Sequence, residues 1–169
     1  KLCGGTKENP EHFDYSIFKD LWLTNFTINN LVNFNVVEAL SHTKRVENLY
    51  ISKTDYALDD SNVFPNIIKR LEISYCKLNY VPKWLNFMEL AILKLRINVT
   101  GLLDLSLLEI KSLVELNIST YDTNADSIIK LRITDAKFPN LYELAIKNKS
   151  KVKYDIDVIK LCYCTTITN

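Results

Sequence analysis

The sequence predicts an α/β solenoid: a parallel sheet of about seven to eight short strands, joined by irregular return segments with little helix. Three observations carry that expectation. An apolar-x-x-Leu-x-Ile pattern recurs along most of the 169-residue chain. One copy runs unbroken through Ile68–Leu78 (Ile-Lys-Arg-Leu-Glu-Ile-Ser-Tyr-Cys-Lys-Leu) and continues into Val81-Pro82. Glycine (3) and proline (4) are too scarce for long flexible linkers, so the copies should stack directly.

Residues 1–17, with Gly4, Gly5 and Pro10, read as an irregular N-terminal cap; residues 18–169 read as the repeat domain. Phe18-Leu21-Leu23, Val46-Leu49-Ile51, Ile68-Leu71-Ile73 and Ile92-Leu95-Ile97 fit the template, as do Leu113-Leu116-Ile118, Ile128-Leu131-Ile133, Leu141-Leu144-Ile146 and Val158-Leu161-Tyr163. Leu-x-Ile alternation sets two apolar side chains on one face of a short strand. β-branched Ile suits that strand. A single such strand cannot bury its apolar face, so the units must stack around a continuous core. Between strands, residues 35–42 (NVVEALSH) read as a short helix and residues 102–110 (LLDLSLLEI) as a further helical turn or two. Phe64-Pro65-Asn66 and Phe138-Pro139-Asn140 each precede a strand, a second and weaker repeat signal.

The central leucines fall at intervals of 28, 22, 24 and 21 residues, then 15, 13 and 17. The last three are short for a full coil. Either the return side shrinks there to a bare turn, or one late match is not a rung; the first is the expectation.

On these residues the chain from about Phe18 to Thr166 resembles a leucine-rich repeat domain, with Cys76 where such repeats take Asn or Cys. The resemblance implies a right-handed horseshoe with a concave parallel sheet, and protein binding on that concave face. At the other Asn-type positions stand Phe26, Thr54, Thr100, Tyr121, Ala136, Lys149 and Thr166. Thr can satisfy the turn's backbone groups, whereas Phe, Ala and Lys cannot. The uneven spacing is closer to intracellular members of the family, such as F-box and fungal scaffold proteins, although no F-box-like segment is visible.

With the strands in this register, the concave face would carry Trp22, Tyr50, Arg70, Glu72, Lys94, Arg96, Asn117, Lys130 and Arg132 as partner-binding residues. Trp22 and Tyr50 would sit together as aromatic anchors, unless the N-terminal cap covers them. Arg70, Lys94, Arg96, Lys130, Arg132, Lys147 and Lys160 oppose Asp20, Glu72, Glu115 and Glu143, a surplus of +3 on a chain of net charge +1. An acidic protein surface or peptide fits that surplus through Arg–carboxylate pairing. The plainer reading is cross-strand salt bridging, for example Arg96 with Glu72 or Glu115.

The near-neutral charge argues against a nucleic-acid partner, which needs a strong basic excess. No apolar run reaches the roughly 18 residues of a membrane span. His12 and His42 stand apart from other ligand types, and no CxxC spacing for zinc occurs, so neither a metal nor a cofactor is expected. Glycine-rich phosphate loops, G-x-S-x-G and H-E-x-x-H are missing, and Asp59-Asp60 read as solvated loop carboxylates, so no catalysis is expected. Cys3, Cys76, Cys162 and Cys164 read as reduced thiols of a cytoplasmic or nuclear protein. The N-x-[ST] sites at Asn25, Asn98, Asn117 and Asn148 read as incidental, because two of them fall on the presumed binding face. The expected function is a protein-interaction module. The alternatives are a secreted receptor fragment and a structural segment of a longer solenoid; the initial Lys1 fits a piece of a longer chain.

Overall fold

The computed structural model describes residues 2–3, 13–31, 34–53, 68–78, 80, 85–86, 88–121, 126–148 and 152–159. Ten strands are described: β1 (Leu2–Cys3), β2 (Trp22–Asn29), β3 (Arg45–Ser52), β4 (Arg70–Lys77), β5 (Ile92–Asn98), β6 (Leu102–Asp104), β7 (Glu115–Thr120), β8 (Ile128–Thr134), β9 (Glu143–Asn148) and β10 (Lys153–Ile159). A single α-helix among the described residues, α1 (Val36–His42), lies between β2 and β3. All pairings are parallel, in a seven-stranded sheet ordered β1-β2-β3-β4-β5-β7-β9 and a three-stranded sheet ordered β10-β8-β6. The architecture is therefore a β-solenoid with few helices, as the repeats predict.

The true register is more regular than the sequence template. Phe26, Leu49, Leu71, Leu93, Leu116 and Leu144 are successive partners along the main sheet. Their spacing is 23, 22, 22, 23 and 28 residues. Three residues before each stands a second apolar residue: Leu23, Val46, Ile68, Leu90, Leu113 and Leu141. All but the partly buried Leu23 are at most 3% exposed. Two template rungs are corrected accordingly. The first is Leu23-Phe26-Ile28, not Phe18-Leu21-Leu23; Phe26 is 3% exposed and Leu21 40%. The fourth is Leu90-Leu93-Leu95, not Ile92-Leu95-Ile97. Side chains alternate with period two. The odd shift of five residues in the first rung therefore moves its residues to the other face, whereas the shift of two in the fourth keeps them on the same face, one row along.

The short late intervals have a different cause from the expected bare turn. Ile128-Leu131-Ile133 is not a main-sheet rung; it is β8, on the return side. From β5 onward each return segment itself forms a strand, giving β5–β6, β7–β8 and β9–β10 coils with a second sheet across the core. Residues 102–110 form β6 and then a turn at Ser106–Leu107 rather than helical turns. The last template rung is also displaced: Val158 belongs to β10, while Leu161 and Tyr163 lie outside the described residues. Phe64-Pro65-Asn66, Val81-Pro82, Cys162 and Cys164 lie outside them too.

Local chemistry explains where the chain leaves the sheet. Asn30 and Lys53 each stand two residues after Ile28 and Ile51 and take left-handed φ values of 56° and 50°; Tyr75, at the same offset from Ile73, takes 57° inside β4, where pairing resumes at Cys76. The turn redirects the backbone while its N–H stays on the ladder: Asn30 donates to the Ser52 carbonyl (2.9 Å) and Lys53 to that of Ser74 (3.0 Å). Gly101 (φ 80°) makes the corresponding step from β5 to β6, a conformation glycine adopts without Cβ strain. The helix expected at residues 35–42 is present. The Asn35 side chain caps it by accepting from Glu38 N–H (3.0 Å), and Val36, Val37, Ala39 and Leu40 are buried.

The core lies behind the main sheet, with α1 contributing to it in the first coils and the second sheet in the later ones, and aromatic rings cap its N-terminal end. Phe18 packs on Phe26 (5.2 Å) and Phe13 (5.9 Å), and Tyr15 packs on Phe34 (5.3 Å). Polar contacts between separate segments also reach the interior. Ser127 Oγ donates to the Val99 carbonyl (2.8 Å), and the Thr120 and Tyr154 hydroxyls meet at 3.2 Å between β7 and β10. Burial pushes the Tyr154 phenol above its ordinary range, partly offset by that hydrogen bond.

Candidate interaction face

Because side chains alternate, β2, β3, β4, β5, β7 and β9 offer outward residues in three rows that run across the strands. The row nearest the strand starts is Asn25, Asn48, Arg70, Ile92, Glu115 and Glu143. The central row is Thr27, Tyr50, Glu72, Lys94, Asn117 and Ala145. The row nearest the strand exits is Asn29, Ser52, Ser74, Arg96, Ser119 and Lys147. The last four strands of this face, β4, β5, β7 and β9, form a groove of about 460 Å³ lined by Glu72, Lys94, Arg96, Glu115, Asn117 and Lys147, among others.

Most of its charge is internally matched. Lys94 Nζ meets Glu115 Oε1 at 2.5 Å, and Asn117 donates to the same carboxylate at 2.5 Å. Arg70 pairs with Glu72 along one strand at 3.3 Å and lies over the Tyr50 ring at 5.6 Å. Ser74 Oγ donates to Glu72 at 3.3 Å. Arg96 does something else: its Nη1 donates to the Tyr75 hydroxyl at 3.0 Å, and its guanidinium sits 5.4 Å from that ring's centre. The cross-strand neutralisation foreseen for Arg96 with Glu72 or Glu115 is thus made by Lys94 instead. Pairs this close on a partly exposed sheet contribute about 0–1 kcal/mol each, so they order the face more than they stabilise the fold.

Six of the nine sequence-selected residues come together here: Tyr50, Arg70, Glu72, Lys94, Arg96 and Asn117. Three do not. Trp22 opens β2 opposite Arg45, while Tyr50 pairs with Thr27 farther along, so the aromatic pair never forms. Trp22 is nevertheless 72% exposed. Lys130 and Arg132 lie on the outer side of the second sheet, across the core. There Lys130 is in register with Asp104 and Asp155, and Arg132 with Asp157, which it approaches at 3.5 Å. Asp20 stands in a turn (φ 65°) and pairs with Lys44 at 3.3 Å. On the main face the described charges are therefore Arg70, Lys94, Arg96 and Lys147 against Glu72, Glu115 and Glu143, a surplus of +1 rather than +3.

Two contributors escaped the sequence reading, Tyr75 and Tyr121. Tyr75 occupies a β-bulge, where Ser74 pairs with Arg96 but Cys76 pairs with Ile97. Tyr75 and Tyr121 meet edge to face at 5.0 Å beside the groove. The signal available was positional: Tyr75 follows Ile73 at the same offset as Lys53 follows Ile51.

Among the described residues, no group of three His, Cys, Asp or Glu side chains could hold a metal ion. No helix among them is long and apolar enough to cross a membrane. No protein-family model, curated protein or solved structure matches the chain.

Proposed function

We propose that this chain is a protein-interaction module of the leucine-rich-repeat kind, taking its partner on the outer face of the main sheet. The observation that supports this most is the groove over β4, β5, β7 and β9: rigid hydrogen-bonded strands holding a mixed array of Arg, Lys, Glu, Asn, Ser and Tyr groups. A fixed array of this kind reads a partner by charge register at little ordering cost. In this reading the sheet is the concave side of a right-handed horseshoe. The partner is a protein, the surface does no catalysis, and the compartment is cytoplasmic or nuclear, with all four thiols reduced.

Site-specific photo-crosslinking tests it. A crosslinker at Asn117, in the centre of the face, should capture a discrete partner from an extract of the source cells. The same group at Asp155, on the second sheet, should not. Equal capture from both positions, or none from either, would overturn the reading. Titration of four free thiols in the native-source protein supports the intracellular assignment; a disulfide through Cys3 or a glycan mass would replace it with a secreted receptor fragment.

A further inference from the structure

The three rows of the main-sheet face carry charge of different kinds. The start row holds Arg70 on β4 and the carboxylates of Glu115 and Glu143, which are register partners on β7 and β9. The exit row holds two cations, Arg96 and Lys147, with Ser119 between them and no carboxylate. The other two cations of the face, Arg70 and Lys94, are each tied to a glutamate. Arg96 instead rests on a neutral phenol, so its charge is oriented without being cancelled.

The support under Arg96 is specific. Tyr75 reaches it only because β4 carries one extra residue there, and that residue takes a left-handed φ of 57°. Bulges re-aim side chains, and a bulky residue at such a φ signals a local constraint. The re-aimed Tyr75 remains 43% exposed and braces against Tyr121 at 5.0 Å. The result is an oriented guanidinium on an aromatic platform at one edge of the groove.

We propose that the exit row is an acid-reading strip that receives two carboxylates of an extended peptide segment of the partner. One lies on Arg96 above Tyr75 and the other on Lys147, with the Ser119 hydroxyl between. This rests on the interaction reading above and narrows its partner to an acidic peptide. Arg96 and Lys147 are two strands apart, about 10 Å at the usual strand separation. A polyproline II chain advances about 9.3 Å in three residues and returns its side chains to the same side. Carboxylates at i and i+3 therefore match the two cations when the peptide crosses the strands. Glu115 is already matched by Lys94, so Glu143 is the start-row carboxylate that repels an acidic ligand and favours its seating at the exit row.

The probe is a fluorescein-labelled peptide with a Glu-Pro-Pro-Glu centre and Pro/Gln flanks, followed by anisotropy at about 20 mM salt, where screening is weak. Saturable binding is expected, weakened about tenfold or more when both glutamates become glutamine. Arg96→Gln and Lys147→Gln should each cost about tenfold, and Tyr75→Phe about threefold, through loss of the orienting hydroxyl. Arg132→Gln, on the second sheet, should leave affinity unchanged. Equal affinity for the Glu and Gln peptides, or equal losses at Arg96 and Arg132, would overturn the strip. Failure of the Glu peptide alongside an intact Asn117 crosslink removes the strip and leaves the interaction reading standing; failure of both removes both.

Discussion

Phe26→Ala and Leu21→Ala, made separately, discriminate between the register of the fold and the register suggested by the repeat template. The template places Leu21 at the centre of the first rung, whereas in the fold Phe26 is the residue opposite Leu49. Phe26 is 3% exposed, and its ring packs on Phe18 at 5.2 Å. Truncating a buried Phe costs about 3–5 kcal/mol through lost transfer energy and the cavity left behind. Leu21 is 40% exposed. A fully buried Leu side chain is worth about 1.5–3 kcal/mol, so its remaining burial limits the loss to about 1–2 kcal/mol. Urea unfolding followed by far-ultraviolet circular dichroism measures the difference. With a slope of about 2 kcal/mol per molar, Phe26→Ala should lower the midpoint by about 1.5–2.5 M and Leu21→Ala by less than about 1 M. Equal shifts, or a larger shift for Leu21→Ala, would refute the register and with it the placement of Asn25, Thr27 and Asn29 on the outer face.

Further predictions concern strain, acid and alkali. Lys53 holds a left-handed φ of 50° on an exposed turn, so Lys53→Gly should raise stability by about 0.5–1 kcal/mol in the same unfolding assay. The Ser106 hydroxyl and then its backbone N–H hold the Asp104 carboxyl below its usual range. A depressed folded value stabilises above the unfolded pKa of about 3.9 and is lost as pH falls through the folded one. The stability gap between wild type and Asp104→Asn should therefore be constant near neutrality and close below about pH 4 in acid titrations followed by circular dichroism. Tyr154 has the opposite sign: burial raises its phenol, so its contribution holds below about pH 10 and is lost above. Tyr154→Phe should unfold less steeply than wild type in alkali. Arg132→Glu would set a carboxylate directly in register with Asp157 on the outer side of the second sheet, lowering stability by roughly 0.5–1 kcal/mol without altering capture at Asn117.

The candidate face was partly legible in the sequence. Arg70, Glu72, Lys94, Arg96 and Asn117 reached the correct surface because residues two apart share a face. That argument survives an even error in register, as in the fourth rung, where Lys94 and Arg96 moved only from row to row. It fails under an odd error, which is what removed Trp22 from the face. Lys130 and Arg132 were misplaced for another reason. Ile128-Leu131-Ile133 has the same alternation as a main-sheet rung, and alternation records burial on one side without saying which sheet supplies it.

The sequence by itself determined that short strands with Leu-x-Ile faces must stack in parallel around one core. It also located the helix at residues 35–42, where the structure then shows the Asn35 cap. Those are local facts, carried by side-chain periodicity and capping chemistry. Only the tertiary structure decided which of several overlapping apolar triplets is the rung, because Leu21, Leu23, Phe26 and Ile28 all offer apolar side chains and only stacking on β3 selects among them. It also decided that the later return segments pair into a second sheet, and that an extra residue in β4 turns Tyr75 toward Arg96. Both depend on contacts between residues more than 20 positions apart, where hydrogen bonding between neighbouring coils outweighs local preference.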